Sequence, residues 1–176
     1  MGLILSLFNE FGGYGPLILL FLSWYLLWDS HNLFFYYTLG FFLDNILNLV
    51  LKGIFQQPRP SEDLKKFQLA LTHGKRFIFK NGMPHDIFGM PSGHSESSLY
   101  STIFVYLALR DTKLLYVYLL ISLITMTQRV VFNYHTILQV IAGASVGIGF
   151  GYIMYNFVRE KVKGKIEEKP DDNGPV

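Results

Sequence analysis

Apolar residues gather into five long runs, at residues 11–28, 33–51, 93–109, 114–128 and 136–158. A helix needs about 20 residues, within a range of roughly 17 to 25, to span the hydrocarbon of a bilayer. The runs are of that order, although the fourth is short and the third opens on polar residues. Charge avoids them: none falls between Glu10 and Asp29, between Glu96 and Arg110, between Lys113 and Arg129, or between Arg129 and Arg159. Asp44, inside the second run, and Glu96, near the start of the third, are the exceptions. Backbone groups in lipid must be satisfied within their own segment, so such runs become helices; their length and lack of alternation exclude a closed barrel. The pattern predicts an all-α fold, a polytopic transmembrane bundle of about five spans.

The runs belong to one domain, residues 1–158, followed by a charged tail, residues 159–176, that reads as solvated and mobile. One connection is long. Residues 53–90 carry no apolar run, and loops of that length are commonly functional. Within it Ser61, Glu62 and Asp63 can start a short helix whose Leu64, Phe67 and Leu71 share a face suited to a membrane surface. Phe77 and Phe79 then alternate with Arg76, Ile78 and Lys80 ahead of an Asn81-Gly82 turn signal. Gly143, Gly147 and Gly151 recur every fourth residue in the last run, a stripe that lets another helix approach closely. Trp24, Tyr25, Trp28, Tyr36 and Tyr37 suit either a headgroup boundary or ordinary packing. Met1-Gly2 with Ser6 matches a loose myristoylation pattern; an apolar lead-in to the first helix is the plainer reading.

Composition narrows the function. The chain is 51% hydrophobic and only 16% charged, where a soluble domain carries about a quarter. Its net charge of +2 is too small for the basic face that nucleic acid requires. The absence of cysteine removes disulfides, thiolate nucleophiles and cysteine zinc sites. These counts exclude a soluble enzyme, a disulfide-stapled secreted module and a nucleic-acid binder. The partner they imply is the lipid bilayer.

Three polar clusters stand at the ends of spans: Lys52 to Pro60, Pro91 to His94, and Arg129 to His135. Counting crossings puts all three on one membrane face. Lys52, Arg59 and Arg129 taken singly read as snorkelling cations. Together with two histidines they suit a phosphate, which wants cationic and amide donors from several directions. Ser92 sits where a helix N-cap belongs, so the N–H groups of Gly93, His94 and Ser95 would point at an anion. His94 has the chemistry to protonate a departing oxygen. His135 can attack phosphorus in line and carry the phosphoryl group until water removes it. The cations neutralise the developing charge, so no metal or other cofactor is required.

Lys52-x6-Arg59-Pro60, Pro91-Ser92-Gly93-His94 and Arg129-x5-His135 resemble the three motifs of the type 2 phosphatidic acid phosphatase (PAP2) superfamily. The resemblance covers residues 44–151. It implies a metal-independent phosphatase with His135 as nucleophile and His94 as general acid. Lys52, Arg59, Ser92, Gly93 and Arg129 would form its phosphate-binding set. Two positions depart from the family pattern. Gln128 precedes Arg129 where serine is usual, and Gln139 stands where an aspartate would orient the nucleophile, able to accept its N–H but without full charge. The segments Gln56-Gln57-Pro58-Arg59-Pro60 and Phe88-Gly89-Met90-Pro91-Ser92-Gly93-His94-Ser95, together with Gln139-Val140, look like the dolichyl-diphosphatase branch, where glutamine also occupies that place. That branch implies removal of phosphate from a polyprenyl diphosphate at the lumenal face of the endoplasmic reticulum, recycling a glycan carrier lipid.

Three readings follow: a phosphatase for an isoprenoid lipid diphosphate, one for phosphatidate or another lipid phosphate, and a catalytically silent membrane scaffold. Asp44 reads either as functional or as a helix-to-helix hydrogen-bonding group, and Glu96 either as a neighbour of the His94 proton or as part of a solvated helix start. His73 and His85 read as solvated loop residues.

Overall fold

The computed structural model describes residues 2–80 and 82–167. Along the chain run α1 (Gly2–Leu27), α2 (His31–Phe55), α3 (Leu64–Thr72), β1 (Phe77–Lys80), β2 (Met83–Asp86), α4 (Gly93–Leu109), α5 (Thr112–Val131) and α6 (Ile137–Glu167). Helices α1, α2, α5 and α6 are long and apolar enough to cross a membrane. Their outward faces remain exposed, with Ile46 and Val50 on α2, Leu120 and Leu123 on α5, and Ile141 and Ile153 on α6.

The third expected span is the exception to that description. Helix α4 has 17 residues and lies in the middle of the bundle, packed against α1, α2, α5 and α6. Its neighbours are protein on all sides, which explains its polar sequence. Hydroxyl groups replace lipid-facing apolar ones, and each needs a partner, because a buried hydroxyl without one costs on the order of 2 kcal/mol or more. Ser97 Oγ donates to Asp44 Oδ2 at 3.0 Å, Ser101 Oγ pairs with the Tyr37 hydroxyl at 2.8 Å, and Thr102 Oγ1 pairs with Ser122 Oγ at 3.0 Å. Asp44 thus joins α2 to α4. Four spanning helices therefore surround a fifth, shorter one.

Helix ends depart from the apolar runs for a simple reason: a charge ends a hydropathy run without ending a helix. Helix α1 starts at Gly2 and passes exposed Glu10, and α6 continues past Arg159 to Glu167. Residues 168–176 of the tail lie outside the described residues. The glycine stripe seats α6 on α4. A Cβ at Gly143 or Gly147 would meet the backbone carbonyl of Ser92 or Glu96, and one at Gly151 would lie 2.9 Å from that of Tyr100. Of the boundary aromatics, Tyr25 and Trp28 are exposed, whereas Tyr37 is fully buried and Trp24 donates to Thr38 Oγ1 at 2.9 Å.

Over the polar end of the bundle the long loop folds into a cap. Asp63 caps α3 by accepting from the N–H groups of Lys65 and Lys66. Of the three residues on the expected apolar face only Phe67 is buried, against Ile87 and Phe88; Leu64 and Leu71 are exposed. Strands β1 and β2 form an antiparallel hairpin that pairs Phe77 with Asp86. Ile78 packs inward while Phe77 and Phe79 face out. Gly82 takes a positive φ of 79° in the turn, and its neighbour Asn81 lies outside the described residues.

Gln128 has a structural role. Its Nε2 donates to Asn9 Oδ1 at 2.6 Å and Asn9 O at 3.2 Å, and its methylenes fill the space opposite Gly12. The side chain therefore staples α5 to α1. Gln128→Leu should lower the thermal midpoint by a few degrees through loss of those bonds, each contributing about 1 kcal/mol. Turnover by the folded fraction should stay within about twofold, since Gln128 does not line the cavity described below.

Candidate active site

Helix α2 presents Asp44, Asn48 and Lys52 at a spacing of four, one above the other on its buried face. Gln56 ends the helix in the left-handed region, with φ 46°. The chain then turns back, and Arg59 Nε donates to the Asp86 carbonyl at 3.2 Å. The first polar cluster is thereby folded over the mouth of the bundle.

The second cluster opens α4. Ser92 occupies the N-cap position, but its hydroxyl does not cap the helix; it accepts from Ser95 Oγ at 3.0 Å. Its own N–H donates to the Gln139 carbonyl at 3.0 Å, and the residue is fully buried. Ser92 therefore stands behind the site wall, while Gly93 and His94 face the space in front of it. His94 hydrogen-bonds the backbone of Gly13 on α1.

The third cluster follows α5. Arg129 is buried, its guanidinium carbon 4.9 Å from the centre of the Tyr134 ring, and its carbonyl accepts from the N–H groups of Tyr134 and His135. This turn holds His135 against the mouth. His135 Nδ1 lies 2.8 Å from the Gly89 carbonyl and 3.2 Å from Gln139 Oε1. Both partners are acceptors, so Nδ1 carries the hydrogen and Nε2 is left as the basic nitrogen. Gln139 in turn donates from Nε2 to the Pro58 carbonyl at 2.9 Å. One glutamine thus fastens all three clusters together.

Lys52, Arg59, Gly93, His94, Arg129 and His135 line a single cavity of about 450 Å³. Burial foremost, then the charges of Arg59 and Lys52, pushes the His135 imidazole from 6.5 down to about 3, against the opposing hydrogen bond to Gln139. The ring is therefore neutral at physiological pH. Between those two values an unfolded chain would bind a proton that the folded one refuses, so this residue's contribution to stability shrinks as pH falls. Burial likewise lowers Arg59, offset by the carboxylates of Asp86 and Glu62. A basic imidazole nitrogen, three cations and a helix N-terminus around one space can bind a phosphoryl group and displace it in line.

Several participants carry no signal in a linear reading. Gly89 acts through its carbonyl, Gly13 comes from a helix with no polar motif, and Asp86 lies within the hairpin. Glu96 is not solvated at a helix start: it is fully buried, and Oε2 accepts from Asn48 Nδ2 at 2.6 Å. His85 also departs from a solvated reading, with Nε2 3.3 Å from Glu62 Oε1, whereas His73 is exposed.

The backbone resembles two solved membrane proteins. Aquifex aeolicus LpxE superposes with a TM-score of 0.65 at 21% identity, over 89% of this chain and 87% of that one. A transmembrane PAP2-type phosphatidylglycerolphosphate phosphatase from Bacillus subtilis gives 0.61 at 19% identity, over 91% and 79%. Both likenesses are of fold. Among curated proteins no sequence matches. The family model of the PAP2 superfamily matches residues 33–163, a stretch that contains all three clusters and every cation of the cavity. The chain is an integral membrane protein and belongs to the PAP2 superfamily.

Proposed function

We propose that the protein is a lipid-phosphate phosphatase that removes the terminal phosphate of a polyprenyl diphosphate of the dolichyl type. The observation that carries the chemistry is the pair of acceptors on His135 Nδ1, which leaves Nε2 as a free base beside three cations. In the first step Nε2 attacks the terminal phosphorus and the bridging P–O bond breaks, while His94, charged once the anionic diphosphate is bound beside it, gives that proton to the departing polyprenyl monophosphate. In the second, His94 takes a proton from water as its oxygen attacks phosphorus, the N–P bond breaks, and inorganic phosphate leaves. Lys52, Arg59, Arg129 and the N–H groups at the start of α4 hold the phosphoryl oxygens throughout.

The isoprenoid substrate draws support from the rest of the cavity. It continues between α1 and α2 along Gly13, Pro16, Leu17 and Phe41, with Tyr14, Asn45, Asn48 and Ser97 as the polar part of the lining. In a polyprenyl diphosphate the hydrocarbon begins directly after the second phosphate, so the chain can lie along Leu17 and Phe41 while Asn45, Asn48 and Ser97 face the phosphate linkage. Gln139 supports activity over a silent scaffold, since its amide oxygen reaches His135 as an orienting carboxylate would. In a eukaryote the setting would be the endoplasmic reticulum membrane with the site on the lumenal side, and elsewhere the outer face.

The test is phosphate release by the purified protein in detergent with EDTA, offered dolichyl diphosphate, a shorter polyprenyl diphosphate and phosphatidate. Release from the two diphosphates, undiminished by chelator and faster than from phosphatidate, is the expected result. Preference for phosphatidate would replace the isoprenoid reading, and no release by folded protein would favour a scaffold.

Gln139→Glu makes a separate prediction. A carboxylate beside the imidazole favours its charged form, so the His135 pKa rises from about 3 toward the ordinary histidine range. The acid limb of kcat/KM should then move to higher pH, leaving activity at neutral pH largely intact. Gln139→Leu, which removes the acceptor, should lower kcat about 10- to 100-fold.

A further inference from the structure

We propose that Asp86 is a positioning residue that acts as counter-ion to the cation cluster and limits how tightly phosphate is held. The inference rests on the phosphate-binding reading of the cavity. Asp86 belongs to none of the three motifs, yet its buried carboxylate meets the cations of the site from the cap side. Oδ2 lies 3.8 Å from Lys52 Nζ and 3.0 Å from Arg76 NH2, while the Asp86 carbonyl receives Arg59 Nε at 3.2 Å.

The attachment of Asp86 is firm on one side and loose on the other. Arg76 Nε donates to both carboxylate oxygens at 3.3 Å, and Oδ1 also accepts the Phe88 N–H at 3.0 Å. Arg76 is itself anchored, donating to the Leu49 carbonyl of α2 at 2.8 Å and lying over the rings of Phe77 and Phe88. Against these short contacts the 3.8 Å to Lys52 is a long one. Lys52 can therefore shift toward an arriving phosphate while Asp86 stays in place. Without Asp86, Lys52 and Arg59 would face each other across a buried site with Glu96 and Glu62 as the weaker counter-charges.

The same residue reaches the nucleophile. The Asp86–Phe88 hydrogen bond fixes the turn that delivers the Gly89 carbonyl, and that carbonyl holds His135 Nδ1 at 2.8 Å. Loss of the negative charge should thus have two opposite consequences. Phosphate binds more tightly because a repelling neighbour has gone, and turnover falls because cations and nucleophile are less well set. A residue that merely supports the fold would loosen both.

The experiment uses the full-length protein in detergent and measures inorganic phosphate affinity by calorimetry beside kcat on a polyprenyl diphosphate. Asp86→Asn keeps the shape and an acceptor for the Phe88 N–H. It should tighten phosphate binding on the order of tenfold and lower kcat about tenfold or more. Asp86→Glu, which retains the charge, should leave phosphate affinity near that of the parent. Asp86→Ser is a second neutral variant should the first fail to fold. Unchanged or weaker phosphate affinity in a folded neutral variant would overturn the proposal. Tighter phosphate binding in a protein that hydrolyses no lipid diphosphate would uphold Asp86 as counter-ion and instead defeat the proposed reaction.

Discussion

His135→Ala is expected to lower kcat by about 10⁴-fold or more while leaving the protein folded and able to bind phosphate. The size follows from the role: without a nucleophilic nitrogen the remaining cations can bind the diphosphate but cannot open the covalent route, and removal of such a group costs about that factor in other covalent enzymes. The fold should tolerate the change. The buried imidazole's described hydrogen bonds are made by Nδ1. Loss of the bond to the Gly89 carbonyl costs about 1 kcal/mol, a shift of a few degrees in the thermal midpoint. The decisive comparison is kcat against inorganic phosphate affinity in the same preparation. A large loss of both would mean that the site had collapsed, whereas an unchanged kcat would remove His135 from the chemistry.

Gly147→Leu should be the most damaging substitution outside the cavity. The side chain at 147 would be driven into the backbone carbonyl of Glu96, which cannot rotate away as a side-chain tip can. Either α6 withdraws or α4 moves, and overpacking of this kind costs on the order of 1–3 kcal/mol or more. The effect should also reach the chemistry. Glu96 lies two residues from His94, and a displacement of about 1 Å at a reacting group can cost roughly 10²-fold in rate. Gly149→Ala is the control, because nothing lies within 4 Å of a Cβ there and alanine favours the helix. Thermal unfolding and kcat should both suffer in the first variant and neither in the second.

How far the sequence reveals this molecule depends on where each signal is written. The apolar runs mark the four membrane-crossing helices because lipid demands apolar residues over their exposed length. The same signal weakens at α4, whose neighbours are protein and whose Ser97, Ser101 and Thr102 are satisfied by other helices. The three motifs identify the cavity's charged residues because side-chain chemistry is what a motif records. Ser92 shows the limit of that record: it belongs to the motif yet turns toward Ser95 and lies behind the wall.

Backbone atoms leave no such trace. The carbonyl of Gly89 orients His135, and that of Pro58 steadies Gln139, but any residue has a carbonyl. Asp86 is hidden for another reason, since an aspartate in a polar loop reads as solvated until the hairpin folds it onto Lys52. Gln128 illustrates the converse. As a departure from a family pattern it reads as a flaw, and only its contact with Asn9 on a helix distant in sequence gives it a purpose.

The proposed reaction passes through a covalent phosphohistidine at His135, and that intermediate can be trapped. Wild-type protein mixed with a polyprenyl diphosphate carrying a labelled terminal phosphate, quenched in alkali within milliseconds and digested, should yield a labelled peptide containing His135. That label should be acid-labile, chased by unlabelled substrate, and missing from His135→Ala. Rapid hydrolysis with no label on any histidine across the time course, or label on another residue, would rule out His135 as the nucleophile.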